Sequence, residues 1–209
     1  MVLSVEHRRE FLDMARRRAQ PGSGSAPMTV QESRPTYSVP DVRLYMGNVS
    51  FVVVGGLATR LYMDERMTLD TDVLVQLENL RDAERALEDA GCRKLGPLTI
   101  GGSTWQMPNG RNLDVIALDE PWVKQAVEHS VQDDDGIPCI GLPHLVLMKL
   151  ASGRVQDLAD VSRMLGRAPK KRLDETRELI RHFREQDMGD LESLIALGKL
   201  EQEGSAIPE

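Results

Sequence analysis

Apolar residues occur along this chain in short runs, and their spacing alternates between the period of a strand and the period of a helix. A β-branched run precedes the pair Gly55-Gly56 and a helical stretch follows it, which predicts a strand, a tight turn and a helix. A second strand comes next, and then a helix that ends at Gly91. The predicted elements are a short helix at 41–46, strands at 51–54 and 68–75, and helices at 57–63 and 79–90.

The later part of the chain adds two strands and then becomes mainly helical. The pair Asn109-Gly110 separates two runs with strand periodicity and is a strong hairpin signal. The pattern therefore predicts the α/β (α+β) class, with a mixed β-sheet flanked by helices and a C-terminal helical appendage. These predicted elements are strands at 103–107, 112–118 and 137–140, and helices at 122–129, 143–152, 155–165 and 172–186.

The first 40 residues differ in character from the rest. Residues 4–19 have the pattern of a charged amphipathic helix, whereas residues 20–40 are rich in Pro, Gly, Ser and Thr and have no periodicity. We predict an N-terminal helix with a flexible linker at 1–40, a core at 41–142, and a C-terminal helical region at 143–209.

Composition and charge exclude several classes of protein. The 209 residues are 41% hydrophobic and 28% charged, and no apolar run approaches the roughly 20 residues that cross a bilayer. The charged beginning of the chain lacks the apolar region of a secretory signal, so we expect a cytoplasmic protein without a membrane partner. A net charge of −7 argues against a protein that coats nucleic acid through its overall field. Cys92 and Cys139 lie far apart and the histidines are unpaired in spacing, which argues against a disulfide framework and a zinc site.

Two acidic residues stand two positions apart in the second predicted strand. Side chains at i and i+2 of a strand point to the same face, so Asp70 and Asp72 present neighbouring carboxylates that suit a hard cation. The alternative is an exposed edge strand with two solvated acids. Gly55-Gly56, between a strand and a helix, lets backbone N–H groups approach phosphate oxygens, although glycine there is also a common turn residue.

A third acid lies among apolar residues in a later strand. Asp114 is either a structural acid that bonds to backbone or to an arginine, or the third carboxylate of a metal cluster on a neighbouring strand. The second possibility requires Asp114 to face the same side of the sheet as Asp70 and Asp72. Three such acids and two metal ions can support phosphoryl-type transfer.

These motifs together resemble the signature of the DNA polymerase β nucleotidyltransferase superfamily. The residues that carry the resemblance are Val54-Gly55-Gly56, the run Asp70-Thr71-Asp72-Val73 and Asp114. The stretch 51–75, which includes Arg66-x-Thr68-x-Asp70-x-Asp72, is similar to minimal nucleotidyltransferases and to abortive-infection type nucleotidyltransferase toxins.

The resemblance implies a site and a reaction. A nucleotidyltransferase-type sheet would hold two Mg²⁺ ions on Asp70, Asp72 and Asp114, which are the implied catalytic residues. An acceptor would attack the α-phosphorus of a nucleoside triphosphate and release pyrophosphate. The implied nucleotide-binding residues are Gly55, Gly56, Arg66 and Lys149.

A second cluster of charges lies in the predicted helical region and resembles a late motif of the toxin-type enzymes. Asp157 and Asp160 are one turn apart, with Lys149 and Arg154 nearby. These cations would contact the nucleotide, or they would form salt bridges with the two acids.

Three functions follow from the resemblance and differ in the acceptor. The first is a toxin-like enzyme that adds nucleotides to RNA, with tRNA as the acceptor, in a toxin–antitoxin system. The second is nucleotidylation of a partner protein or of a small molecule such as an aminoglycoside. The third is a non-catalytic antitoxin or binding module with the same fold. The presence of Asp70, Asp72 and Asp114 argues against this third function.

Basic residues recur near both ends of the chain and bear on the RNA prediction. They would grip phosphates, or they would form a solvated helix face, because acids such as Asp174, Glu175 and Glu178 are interleaved with them. The basic residues are Arg16, Arg17, Arg18, Lys170, Lys171, Arg172, Arg177, Arg181 and Arg184.

Overall fold

The strand-like runs of the sequence form one mixed sheet in a computed structural model of the chain, which describes residues 4–18, 40–63 and 70–202. The described chain divides into two compact units. The sheet unit comprises residues 40–61 and 70–141, and the helical unit comprises residues 4–18, 62–63 and 142–202. The mixed sheet with flanking helices confirms the predicted fold class.

The elements of the sheet unit follow the predicted order with two additions. The short strands β3 and β6 were not predicted, and the helix predicted at 57–63 begins instead at the glycine pair. The elements are α2 (Arg43–Met46), β1 (Val52–Val54), α3 (Gly55–Thr59), β2 (Thr71–Gln76), α4 (Leu80–Asp89), β3 (Arg93–Pro97), β4 (Gly102–Gln106), β5 (Asn112–Leu118), α5 (Pro121–Glu128), β6 (Val131–Gln132) and β7 (Pro138–Cys139).

The strand order is β3-β4-β5-β2-β1-β7-β6, which places β2 at the centre of the sheet. β2 runs parallel to β5 and antiparallel to β1, while β4 and β5 form an antiparallel hairpin. The predicted Asn-Gly turn joins this hairpin, where Gly110 has a φ of 82° and the Asn109 side chain accepts a hydrogen bond from the backbone N–H of Arg111. The hairpin thereby fixes the register of β4 against the strand that carries Asp114.

One face of the sheet carries the apolar core. Alternate residues of the central strands, among them Val73, Val115 and Trp105, are buried there with α2 and α4 residues such as Met46 and Leu87. Because side chains alternate between faces, the residues next to these in sequence lie on the opposite face. That opposite face includes Asp72 and Asp114.

The helical unit contains α1 (Val5–Arg18), α6 (Leu142–Ser152), α7 (Val155–Arg167), α8 (Lys170–Phe183) and α9 (Met188–Gln202). Helix α9 lies in the predicted helical region 143–209, although no individual helix was predicted beyond residue 186. The predicted N-terminal helix packs on α9 through Arg8, which is 3% exposed. The Arg8 guanidinium donates to Asp187 at 2.7 Å, to Asp190 and to the Leu150 carbonyl oxygen. A buried guanidinium with three acceptors anchors α1 to α6 and α9.

Helices α7 and α9 cross closely where Gly166 faces Gly198. This crossing gives a prediction about stability. A methyl group on Gly198 would lie 2.0 Å from the Ser162 carbonyl oxygen, so we expect Gly198→Ala to lower the free energy of unfolding by about 1–3 kcal/mol or more. Gly189 lies in the same helix with nothing within 4 Å of an added methyl group, so Gly189→Ala should be neutral or stabilising by up to about 1 kcal/mol. Urea unfolding of both variants tests the crossing, and equal midpoints would contradict it.

No helix within the described residues is long and apolar enough to span a bilayer.

Candidate active site

The acids of the sheet unit meet where the two parallel strands lie side by side. Asp72 of β2 and Asp114 of β5 are register partners, so their side chains project from the same face of the sheet on strands about 4.8 Å apart. Both are half-buried. The expectation that Asp114 lies on a neighbouring strand and on the same face as Asp72 is confirmed.

Asp72 also contacts the predicted glycine turn. Gly55 follows β1, whose last residue Val54 pairs with Asp72, and its φ of 64° lies in the left-handed region that favours glycine. A Cβ atom on Gly55 would stand 2.0 Å from Oδ2 of Asp72, so the carboxylate occupies the space that a side chain would take. The next residue, Gly56, is buried, and its carbonyl oxygen accepts the Thr59 hydroxyl hydrogen bond at 2.6 Å. The absence of a side chain at Gly55 is therefore what lets the turn and the acid meet.

Asp70 lies less centrally than Asp72 and Asp114. Asp70 is exposed and immediately precedes β2, which begins at Thr71 and not at 68 as predicted. Arg66 lies outside the described residues. Gly55 and Asp114 therefore both lie beside Asp72, and Asp70 lies two positions before Asp72 in the chain.

The donor set fits a hard cation in part. Carboxylate oxygens are the ligands that Mg²⁺ prefers, and Asp72 and Asp114 offer them on one face. Among residues 4–18, 40–63 and 70–202, however, no three His, Cys, Asp or Glu side chains converge closely enough to hold a metal ion. The structure therefore assembles two of the three predicted carboxylates.

Asp114 is set apart by its surroundings. Within the described part of the chain its carboxylate forms no hydrogen bond and no ion pair. A structural acid would be held by a backbone N–H or by an arginine, which was the alternative prediction for this residue. Among the described residues, neither a backbone N–H nor an arginine holds the Asp114 carboxylate in this way.

Lys149 belongs to the helical unit and is paired there. Its ammonium, on a residue that is 5% exposed, donates to Asp157 at 2.7 Å and to Asp160 at 2.8 Å. Burial by itself raises the pKa of Asp157, but the Lys149 charge and hydrogen bonds from Lys149, Ser152 and Arg154 outweigh it and hold the pKa below its ordinary 3.8. These contacts realise the predicted salt bridges between α6 and α7.

Removal of this lysine should destabilise the helical unit. Lys149→Met leaves two buried carboxylates without their cation, so we expect the free energy of unfolding to fall by about 3–5 kcal/mol at neutral pH. The depressed pKa of Asp157 means that its pairing stabilises the fold above pH 3.8 and that this contribution is lost as the pH falls through the folded-state value. The difference in the free energy of unfolding between Lys149→Met and the unaltered protein should therefore become smaller at acid pH.

Arg154→Met is the matched control for this pair. Arg154 also bonds to Asp157, at 2.6 Å, but its side chain is 65% exposed, so its loss should cost about 1 kcal/mol or less. Denaturant unfolding between pH 3 and 7 compares the variants. If Lys149→Met cost no more than Arg154→Met, the buried cluster would not be a source of stability.

Thr104 was not predicted as a site residue. It is the register partner of Asp114 on β4 and lies on the same face of the sheet. The signal was present in the Asn-Gly hairpin, because fixing the turn fixes which residue of β4 lies opposite Asp114.

Comparison with known proteins gives distant structural similarities only. No protein-family model matches the chain, and no curated protein matches it. A crystal structure of ANT(2")-Ia in complex with adenylyl-2"-tobramycin is 19% identical, with a TM-score of 0.41 over 73% of this chain and 88% of that one. A solution structure of the antibiotic-resistance factor ANT(2'')-Ia is 18% identical, with a TM-score of 0.39 over 73% and 83%. A lincomycin-bound crystal structure of the lincosamide antibiotic adenylyltransferase LnuA is 14% identical, with a TM-score of 0.35 over 71% and 87%. At these values the similarities assign no function to this chain.

Proposed function

We propose that this protein is a metal-dependent nucleotidyltransferase that moves a nucleotide from a nucleoside triphosphate to an acceptor. The observation that carries the proposal is the contact of Asp72 with Gly55 beside its register partner Asp114. The carboxylates of Asp72 and Asp114 are suited to Mg²⁺, and they lie beside the glycine turn to which the sequence resemblance assigns the triphosphate. The sequence resemblance to the DNA polymerase β superfamily rests on the same residues.

The residues of the site have distinct roles in this proposal. By resemblance, Asp70, Asp72 and Asp114 would hold Mg²⁺, and the backbone of Gly55 and Gly56 would receive the triphosphate. Bound Mg²⁺, two ions by resemblance, would neutralise phosphate charge and make the acceptor more acidic. Arg66 and Lys149 stay predicted nucleotide contacts; Arg66 lies outside the described residues, and Lys149 pairs with Asp157 and Asp160 within the helical unit.

The reaction is a substitution at the α-phosphorus. The acceptor oxygen forms a bond to that phosphorus while the bond to the bridging oxygen of the β-phosphate breaks, and pyrophosphate leaves with the electron pair. The proton of the acceptor hydroxyl would pass to a base, for which Asp114 is suited by its position beside Asp72 at the proposed cation site.

Ion pairs in the helical unit bear on the prediction that the acceptor is RNA. Cations predicted to grip RNA are paired with acids on α8: Lys170 contacts Asp174 at 2.6 Å and Arg172 contacts Glu175 at 2.8 Å. Arg177 contacts Glu192 at 2.6 Å. These exposed pairs are what a solvated helix face would show. An RNA acceptor, as in a toxin-like enzyme acting on tRNA, therefore stays a prediction beside a partner protein or a small hydroxyl-bearing molecule.

A transfer assay separates these acceptors. The chain is incubated with α-³²P-labelled triphosphates and Mg²⁺ together with total tRNA, cell protein or a panel of aminoglycosides and lincosamides. We expect label on one acceptor class only, together with stoichiometric pyrophosphate. If RNA is the acceptor, its binding should weaken steeply as salt rises. Absence of label on every class would refute the proposed activity.

A further inference from the structure

Four residues on four adjacent strands form a row across the face of the sheet that carries the acids. The register pairs are Val54 with Asp72, Asp72 with Asp114, and Asp114 with Thr104. Register partners project from the same face, so Thr104 stands beside Asp114 on the side away from Asp72. In an antiparallel pair the Cβ atoms of such partners are about 4.5–5.5 Å apart, so a rotation of the side chains can bring the Thr104 hydroxyl to the Asp114 carboxylate.

The rest of this face leaves few polar groups beside Asp114. One step deeper, Leu74 and Ile116 are buried and apolar. One step toward the open end lies Gln106, whose side-chain oxygen accepts a hydrogen bond from Arg93 at 2.9 Å. Its register partner Asn112 is exposed at the first position of β5. Thr104 is therefore the half-buried polar side chain directly opposite Asp114.

Neither partner of this pair is engaged elsewhere. Within the described residues, the hydroxyl of Thr104 forms no hydrogen bond, and the carboxylate of Asp114 forms neither a hydrogen bond nor an ion pair. A carboxylate that binds a cation through one oxygen needs a donor on the other oxygen to fix its orientation. A threonine hydroxyl can supply that donor while its methyl group packs on the sheet.

We propose that Thr104 is a positioning residue that orients the carboxylate of Asp114 toward the cation and the acceptor. The inference rests on the proposed function, since it assigns Asp114 a ligand. Loss of the hydroxyl leaves the carboxylate free to rotate, so cation affinity and turnover fall together while triphosphate binding changes little. Serine keeps the hydroxyl and should keep the function.

The matched control is a threonine on the opposite face of the same sheet. Thr71 lies between Asp70 and Asp72 in the sequence, and its side chain is fully buried. Its hydroxyl has no hydrogen-bond partner among the described residues. Thr71→Val removes a hydroxyl from β2 as Thr104→Val removes one from β4. A general effect of valine on the sheet would appear in both variants.

The test measures Mn²⁺ binding by electron paramagnetic resonance, alongside kcat and the KM for the triphosphate. Thr104→Val should weaken Mn²⁺ binding by about 10-fold, as loss of a group that orients a ligand does, and should lower kcat with little change in KM. Thr104→Ser and Thr71→Val should bind Mn²⁺ as the unaltered protein does. Equal Mn²⁺ affinity of Thr104→Val and the unaltered protein would overturn the inference even if transfer is observed. Weaker binding in Thr104→Val without any transfer would support it while refuting the proposed activity.

Discussion

Replacement of Asp72 by Asn should abolish nucleotidyl transfer and leave the fold intact. The amide has the shape of the carboxylate, so the contact with Gly55 and the position on β2 are kept, but the negative charge that a cation requires is gone. We expect the rate to fall on the order of 10³-fold or more, since the charge acts at the centre of the site. Asp70→Asn should act in the same direction, because the two acids are predicted to share the cation.

The measurement combines transfer rates with unfolding. Asp89→Asn is the control, since Asp89 is an exposed acid at the end of α4 in the same unit, and its variant should match the unaltered protein in rate and stability. Asp72→Asn should unfold at the same denaturant concentration as the unaltered protein. Near-normal turnover of Asp72→Asn with Mg²⁺ would show that the cation is held elsewhere.

The strands that carry the chemistry could be predicted because their sequence pattern and their burial agree. β1, β2 and β5 are apolar and β-branched, and in β2 and β5 the acids interrupt that pattern visibly. β3 escaped prediction because Arg93 and Lys94 are exposed and Gly96 and Pro97 are poor strand formers. It forms a strand at the sheet edge, where pairing with β4 alone determines the structure.

The helix α9 was missed for a related reason. It contains Gly189 and Gly198, which lower helix propensity, and its apolar residues are spread around the helix without a single face. Of these two, Gly198 is required by the close crossing with α7, a contact between distant parts of the chain that no local pattern reveals.

The residue types of the candidate site could be predicted from the sequence, but the strand register that decides which acids face one another could not. Asp70 and Asp72 were expected to act as an equivalent pair two residues apart, yet β2 begins between them and leaves Asp70 exposed. Asp114 was predicted to be either a structural acid or the third carboxylate of a metal cluster, and the parallel pairing of β2 with β5 sets it opposite Asp72. Pairing between strands about 40 residues apart depends on the whole sheet, so the sequence names the acids but does not say which two meet.

Gly55→Ala should damage both stability and activity. Alanine at a φ of 64° costs about 1–2 kcal/mol, and its Cβ atom would stand 2.0 Å from the Asp72 carboxylate. The carboxylate must move by about an ångström or more to relieve the clash, and a displacement of that size at a reacting group costs about 10²-fold in rate.

Gly110→Ala separates the two causes of this effect. Gly110 has a φ of 82° and nothing within 4 Å of an added methyl group, so its variant carries the backbone strain without the clash. We expect Gly110→Ala to lose about 1–2 kcal/mol of stability and to keep full activity. Gly55→Ala should lose more stability and nearly all transfer and Mn²⁺ binding, because the carboxylate that it displaces is the one that holds the cation. If both variants lost stability equally and both stayed active, the contact between Gly55 and Asp72 would have no part in the chemistry, and the phosphate turn would have to be sought elsewhere in the chain.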